Sequence, residues 1–333
     1  MDFLFEYGIF LAEAITIVIS IIVVLIVATS LLKKDKDKDE EKLEIINFNR
    51  KIKSIRRTFE KQTLSKKDFK KLVKTEKKEQ DSQKNKRVFV LDFDGDSNAS
   101  VVDSLRKEIT AVLNFATEKD EVVVRLESPG GVVHGYGLGA SQLKRIRDKK
   151  IPLTVSVDKV AASGGYLMAC VADKIISAPF AIIGSIGVVA QVPNFHKILK
   201  KNDIDFELIT AGEFKRTLTM FGENTDKARE KFTEQIEETH TLFKDFVNLN
   251  RNQIEIAKVA TGEYWYGQKA LELNLVDEIK TSDDLLLEKS LEAEIFEIRY
   301  KKKETLAEKI NSSISLLIEK TISNLVFKQK NLH

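Results

Sequence analysis

The 333-residue chain has a single cysteine, Cys170. An intramolecular disulfide and a zinc site built on cysteines are therefore excluded. Cys170 sits in the apolar run "YLMACVAD" and reads as a small core residue. Charge of one sign is also lacking overall, with 54 Lys and Arg against 51 Asp and Glu, a net of +3. The basic excess is local, because residues 33–87 hold 21 basic and 11 acidic side chains. That distribution argues against nucleic acid as a partner spread over the whole protein. The same segment contains no proline or glycine and few aromatics.

Charge is missing altogether from Ala14 to Leu32, and from Ile9 to Leu32 Glu13 is the only ionisable residue. Those 24 residues would make about 36 Å of helix at about 1.5 Å per residue, enough to cross a bilayer core with tilt. A cleaved secretory signal fits less well: the apolar region is too long, no basic segment precedes it and no small-x-small site follows. The expectation is a transmembrane helix over 9–32, with the lipid bilayer as partner. "KKDKDKDEEK" follows it and no Lys or Arg precedes it, so the positive-inside rule places the bulk of the protein in the cytoplasm. Residues 33–87 read as a charged spacer carrying one or two helices, a solvated tether more than a membrane-binding surface.

The composition changes at Arg87. "RVFVLDFDG" alternates as a strand and "SVVDSLRKEITAVLNFA" has helical spacing. "EVVVRLES" is a continuous apolar strand of the kind buried in a parallel sheet, and "PGG" ends it. Helix 132–150, strand "IPLTVSVD", helix "SGGYLMACVAD", and strands "KIISAP" and "FELITAGE" follow, then a long amphipathic helix from Lys227. The alternation predicts an α/β fold over 88–300. "KIISAPFAIIGSIGVVAQVP" contains Pro179, Gly184 and Gly187 and reads as strand, loop and strand, not as a second membrane span. Residues 301–333 end the chain in an amphipathic helix with apolar positions at 306, 310, 314, 317, 318, 322, 325 and 326.

The chemistry centres on Ser163 in "DKVAASGGYLMAC". A serine hydroxyl is a weak nucleophile and needs a base. Candidates are the four histidines, His134, His196, His240 and His333, or a lysine whose pKa is lowered by burial or nearby positive charge. "ESPGG" closes a strand and opens a helix, so Gly130 and Gly131 would present N–H groups at a helix start. Ser163 opens another helix, which makes the Gly164 N–H available. Either motif alone is a tight turn; together they favour an oxyanion site for acyl transfer.

"ESPGG", "KVAASGGYLMAC", "GSIGVV", "ITAGEFKR" and "TGEYWYGQKALELNLVDEI" occur in an order and spacing that resemble the signal peptide peptidase A family, most of all its SohB branch. The resemblance implies a ClpP/crotonase-type fold of repeated strand-strand-helix units and a serine–lysine endopeptidase without cofactor or metal. Residue by residue it implies Ser163 as nucleophile, Lys215 of "GEFKR" as general base, and Ser185 of "GSIGV" as the group orienting that lysine. Gly130 and Gly164 would be the oxyanion-hole donors. Asn274 stands where members often have glycine, and asparagine tolerates the left-handed helix-end conformation. The resemblance further implies substrates among signal peptides or membrane-protein fragments. It also implies a homo-oligomer of about eight subunits with the dyad shared between neighbours. It points to the bacterial inner membrane, with the catalytic domain periplasmic, against the cytoplasmic side read from charge. Alternatives are a crotonase-type acyl-CoA enzyme and a catalytically inactive membrane scaffold.

Overall fold

The structure, a computed structural model, describes residues 42–79 and 86–301 together with scattered positions between 7 and 21. Leu43–Tyr300 forms one compact unit; Met1–Lys42 with Lys301–His333 forms another, which lies almost wholly outside the described residues. The expected membrane helix over 9–32 and the expected C-terminal helix over 301–333 fall largely or wholly there. Among the described residues no helix is long and apolar enough to cross a membrane.

In chain order the elements are β1 (Lys42–Asn47), α1 (Phe48–Thr63), α2 (Lys66–Glu79), β2 (Lys86–Asp94), α3 (Val102–Leu113), β3 (Glu121–Glu127), α4 (Val133–Asp148), β4 (Leu153–Val157) and β5 (Val160–Ala162). There follow α5 (Gly164–Ala169), β6 (Lys174–Ser177), β7 (Ile182–Gly184), α6 (His196–Lys201), α7 (Asp226–Asn250) and α8 (Ile256–Val259). The last are β8 (Tyr264–Tyr266), α9 (Gly267–Glu272), β9 (Glu278–Ile279), α10 (Ser282–Glu292) and β10 (Ala293–Lys301). Seven strands form a sheet in the order β1-β10-β2-β3-β4-β6-β9, and β5-β7-β8 form a small second sheet. From β10 to β9 every pairing in the large sheet is parallel.

The period of two along β2 explains how the sheet is covered. Phe89, Leu91 and Phe93 face the main core, which they share with Leu105 and Ile109 of α3 and Leu143 and Ile146 of α4. Val88 and Val90 point the other way, into a smaller cluster with Leu285 and Leu286 of α10 and Ile295 of β10. β2, whose sequence reads as an alternating strand, is therefore buried on both faces from Val88 to Leu91, with its charged residues toward the two ends.

Two expectations change. The segment 33–87, read as a tether, contributes the edge strand β1 to the large sheet. Its following helix is tied to the body: the Asn49 side-chain amide donates to the carbonyls of Ser290 and Ala293 and accepts from the Ile295 N–H at 2.7 Å. "FELITAGE", read as a strand, has no regular structure here. A strand needs a partner for its N–H and C=O groups, and no strand among the described residues supplies one. Its Ile209 is 92% exposed.

Candidate active site

Strand β3 runs on to Ser128, which bridges Ala161 of β5 and so joins the two sheets. The bridge brings the "SPGG" loop beside the end of β5, where Ser163 starts α5. Ser163 has φ +52° and ψ −119°, in a region a non-glycine residue rarely adopts, at a cost of about 1–3 kcal/mol. The turn is held on both sides. Ser163 N–H donates to Gly184 O at 2.8 Å, and its carbonyl accepts from Leu167 N–H at 2.9 Å. Among the described residues the Ser163 hydroxyl has no hydrogen-bond partner.

Gly130 has φ +91°, and a Cβ there would lie 2.7 Å from Ser163 Cβ and 2.8 Å from Gly164 N. Only glycine lets the loop approach so closely. Ser185 follows β7 as Ser163 follows β5, because Ala162 and Gly184 are register partners. Ser185 also has a positive φ, of 51°, and donates its N–H to Glu263 O at 2.7 Å. Ser163, Ser185, Gly130, Gly131 and Gly164 line one cavity of about 970 Å³, whose wall includes Leu167 of α5 and Phe243 and Phe246 of α7.

The expected oxyanion donors separate. Gly130 N–H is spent within the loop, donating to Ser128 Oγ at 3.1 Å. Among the described residues, the N–H groups of Gly131 and Gly164 have no protein acceptor. Gly131, read from sequence beside Gly130 as an N–H presented at the helix start but passed over by the family resemblance, is the uncommitted donor beside Gly164. What decides between the two is the orientation of one peptide plane, which composition does not encode.

Lys215 does not line the cavity. It is exposed, in a turn closed by its own N–H to Gly212 O at 3.1 Å, and its ammonium has no ion pair or hydrogen bond among the described residues. The turn is fastened to the start of α7, with Lys227 bonded to Glu213 at 2.5 Å and packed over the Phe214 ring. From Val189 onward the segment carries apolar side chains open to solvent, Val189 being 81% exposed. Of the histidines, His240 lines the cavity, its Nε2 lying 3.3 Å from Ile186 O. His134 is exposed and, like His196, lies outside the cavity lining; His333 falls outside the described residues. No cluster of metal-binding side chains occurs among the described residues.

Residues 2–143 match the profile of the N-terminal region of peptidase family S49, and residues 145–295 match that of peptidase family S49 itself. The chain belongs to peptidase family S49. A probable protease SohB from Haemophilus influenzae is 51% identical over 92% of both chains. A probable protease SohB from Buchnera aphidicola subsp. Schizaphis graminum is 47% identical over 97% of this chain and 98% of its own length. Among solved structures, a membrane-bound stomatin-specific protease superposes with a TM-score of 0.42 at 15% identity, over 69% of this chain and 97% of that one. Family membership makes this S49 protein a peptidase.

Proposed function

We propose that the chain is a membrane-bound serine endopeptidase of ClpP/crotonase-type fold in which Ser163 of one copy is served by Lys215 of a neighbouring copy. The observation that carries the reading is their separation. Ser163 lines the cavity on a strained turn, whereas Lys215 stands exposed beside an apolar arm. A contiguous exposed apolar surface of this kind marks an interaction site. A lysine acts as a base only where burial or neighbouring charge lowers its pKa, and packing of the arm on a second copy supplies that burial.

Neutral Lys215 Nζ takes the proton as Ser163 Oγ attacks the scissile carbonyl carbon. The oxyanion of the tetrahedral intermediate accepts from Gly131 and Gly164 N–H, with Gly130 supplying the loop's bend. The C–N bond then breaks, the lysine ammonium protonates the leaving amine, and water repeats the sequence on the acyl-enzyme. Ser185, beside Ser163, orients the ammonium. The apolar wall suits small or apolar residues beside the cut, as in signal peptides or fragments of membrane proteins. The helix over 9–32 anchors a homo-oligomer of about eight subunits in the bacterial inner membrane.

A second reading has one observation in its favour: His240 lines the same cavity and could serve Ser163 within one chain. Mixed oligomers of Ser163→Ala and Lys215→Ala chains separate the two. The shared dyad predicts two inactive parents and a mixture that regains hydrolysis. No regain overturns the shared dyad. Activity retained in Lys215→Ala but lost in His240→Ala would establish the histidine as base. Full hydrolysis by Ser163→Ala would remove the serine mechanism altogether.

A further inference from the structure

Three consecutive N–H groups follow Pro129, and two of them are committed elsewhere. Gly130 N–H goes to Ser128 Oγ at 3.1 Å, and Val132 N–H goes to Ser97 O at 2.9 Å. Gly131 N–H, between them, has no acceptor. Ser128 cannot drift, because its N–H donates to Val160 O at 2.8 Å and its carbonyl accepts from Ala162 N–H at 3.0 Å.

The direction of the hydrogen bonds follows from counting protons. Tyr136 Oη lies 2.7 Å from the Asp96 carbonyl, which can only accept, so the phenol proton goes there. Tyr136 Oη also contacts Ser128 Oγ closely, and in that pair Ser128 must be the donor. Ser128 Oγ is then left with a lone pair for the Gly130 N–H. The chain Gly130→Ser128→Tyr136→Asp96 has one polarity, and both side chains are fully buried, so water cannot stand in for a missing member. Burial also raises the Tyr136 pKa above its ordinary value, which keeps the phenol a donor. The same ring lies under the other donor: a Cβ on Gly164 would be 2.4 Å from Tyr136 Cγ.

We infer that Ser128 and Tyr136 are positioning residues for the oxyanion site. Their relay to the Asp96 carbonyl turns the Gly130 N–H away from the cavity and thereby aims the Gly131 N–H into it. Tyr136 sets the floor on which Gly164 rests, so one side chain fixes both donors. This rests on the reading of Ser163 as nucleophile.

The test uses the full chain with a fluorogenic peptide, a peptide boronate as tetrahedral mimic, and a non-cleavable peptide amide. Tyr136→Phe and Ser128→Ala are each expected to lower kcat about 10- to 100-fold with KM within about twofold. Boronate affinity should fall in parallel with kcat/KM while affinity for the amide holds. The double variant should be no worse than the poorer single, since both break one relay. Wild-type kcat in Tyr136→Phe, additive losses in the double, or equal weakening of boronate and amide overturns the inference. Tyr136→Phe keeps the ring under Gly164, so it stays informative if Ser128→Ala melts early. Ser163→Ala is run beside them. If it remains active, the nucleophile reading has failed; if it is dead while both relay variants are unimpaired, only the relay has failed.

Discussion

Gly164→Ala tests whether the nucleophile turn depends on the ring beneath it. The added Cβ would lie 2.4, 2.7 and 2.8 Å from Tyr136 Cγ, Cδ2 and Cβ. Ordinary contact begins near 3.4 Å, so about 1 Å must be found. The ring has little room to give way, being fully buried with its oxygen bonded at both Asp96 and Ser128. The start of α5 must retreat instead, carrying Ser163 Oγ and the Gly164 N–H with it. Overpacking of this kind costs about 1–3 kcal/mol of stability. A 1 Å misplacement of reacting groups costs roughly 100-fold in rate, equivalent to about 2.7 kcal/mol on the barrier. Gly137 gives the control. It lines the same cavity from α4, yet a Cβ there meets nothing within 4 Å. Gly137→Ala should stabilise the chain by up to about 1 kcal/mol through helix propensity and leave kcat/KM near wild type. Thermal melts and kcat/KM on a fluorogenic peptide are measured for both. Gly164→Ala within threefold of wild-type kcat/KM and with an unchanged melting temperature would refute the reasoning.

Two further expectations concern stability. Burial, ahead of the Tyr300 N–H bond that opposes it, pushes Glu108 from 4.5 up to about 7. The folded state therefore binds this proton more tightly than the unfolded chain does, and stability should fall as pH rises from about 4.5 to about 7. Glu108→Gln, which can still accept from Tyr300, should flatten that limb in urea melts, and an unchanged pH dependence would count against it. Arg251, 2% exposed, makes two 2.8 Å bonds to Asp277 and one of 3.0 Å to Asn274 O, while its Nε has no partner. Asp277→Ala leaves a buried cation uncompensated and should cost about 3–5 kcal/mol, read by urea unfolding; a loss under about 1 kcal/mol would contradict the burial argument.

The parts of the fold that could be read from sequence are those whose signal is local. β3 reads as a continuous apolar run because both its faces are covered, and α7 shows its periodicity over 25 residues. Asn274 sits at φ +59°, the left-handed conformation expected of a glycine substitute at a helix end. β1 was not legible in this way. Leu43, Ile45 and Ile46 are interrupted by Glu44, and the partner strand β10 lies some 250 positions along the chain. The site divides along the same line. Ser163, Gly164 and Ser185 stand in recognisable short motifs. The proposed choice of Gly131 over Gly130 rests on the Gly130 N–H bond to Ser128 Oγ and on Tyr136 beyond it, contacts that no motif spacing records.

"FELITAGE" is the instructive case, because its pattern is that of a strand and its structure is not. Phe206, Leu208 and Ile209 are apolar enough to be core, yet all three are exposed, and the backbone between them has no ladder partner among the described residues. Such a segment is costly to leave open, since unpaired strand groups and apolar area both invite association. Two physical routes close it: folding back on its own body, or pairing with another chain. Glu213 and Phe214, at the end of the segment, already contact Lys227 at the start of α7, and Lys215 does not line the cavity. Pairing with a second copy would leave those contacts intact. Under the proposed shared dyad it would form the strand the sequence encodes, bury the exposed apolar side chains and desolvate the neighbouring lysine in a single event. One association step then completes the fold and supplies the base, so that, under the same proposal, an isolated subunit holds Ser163 without Lys215 to take its proton.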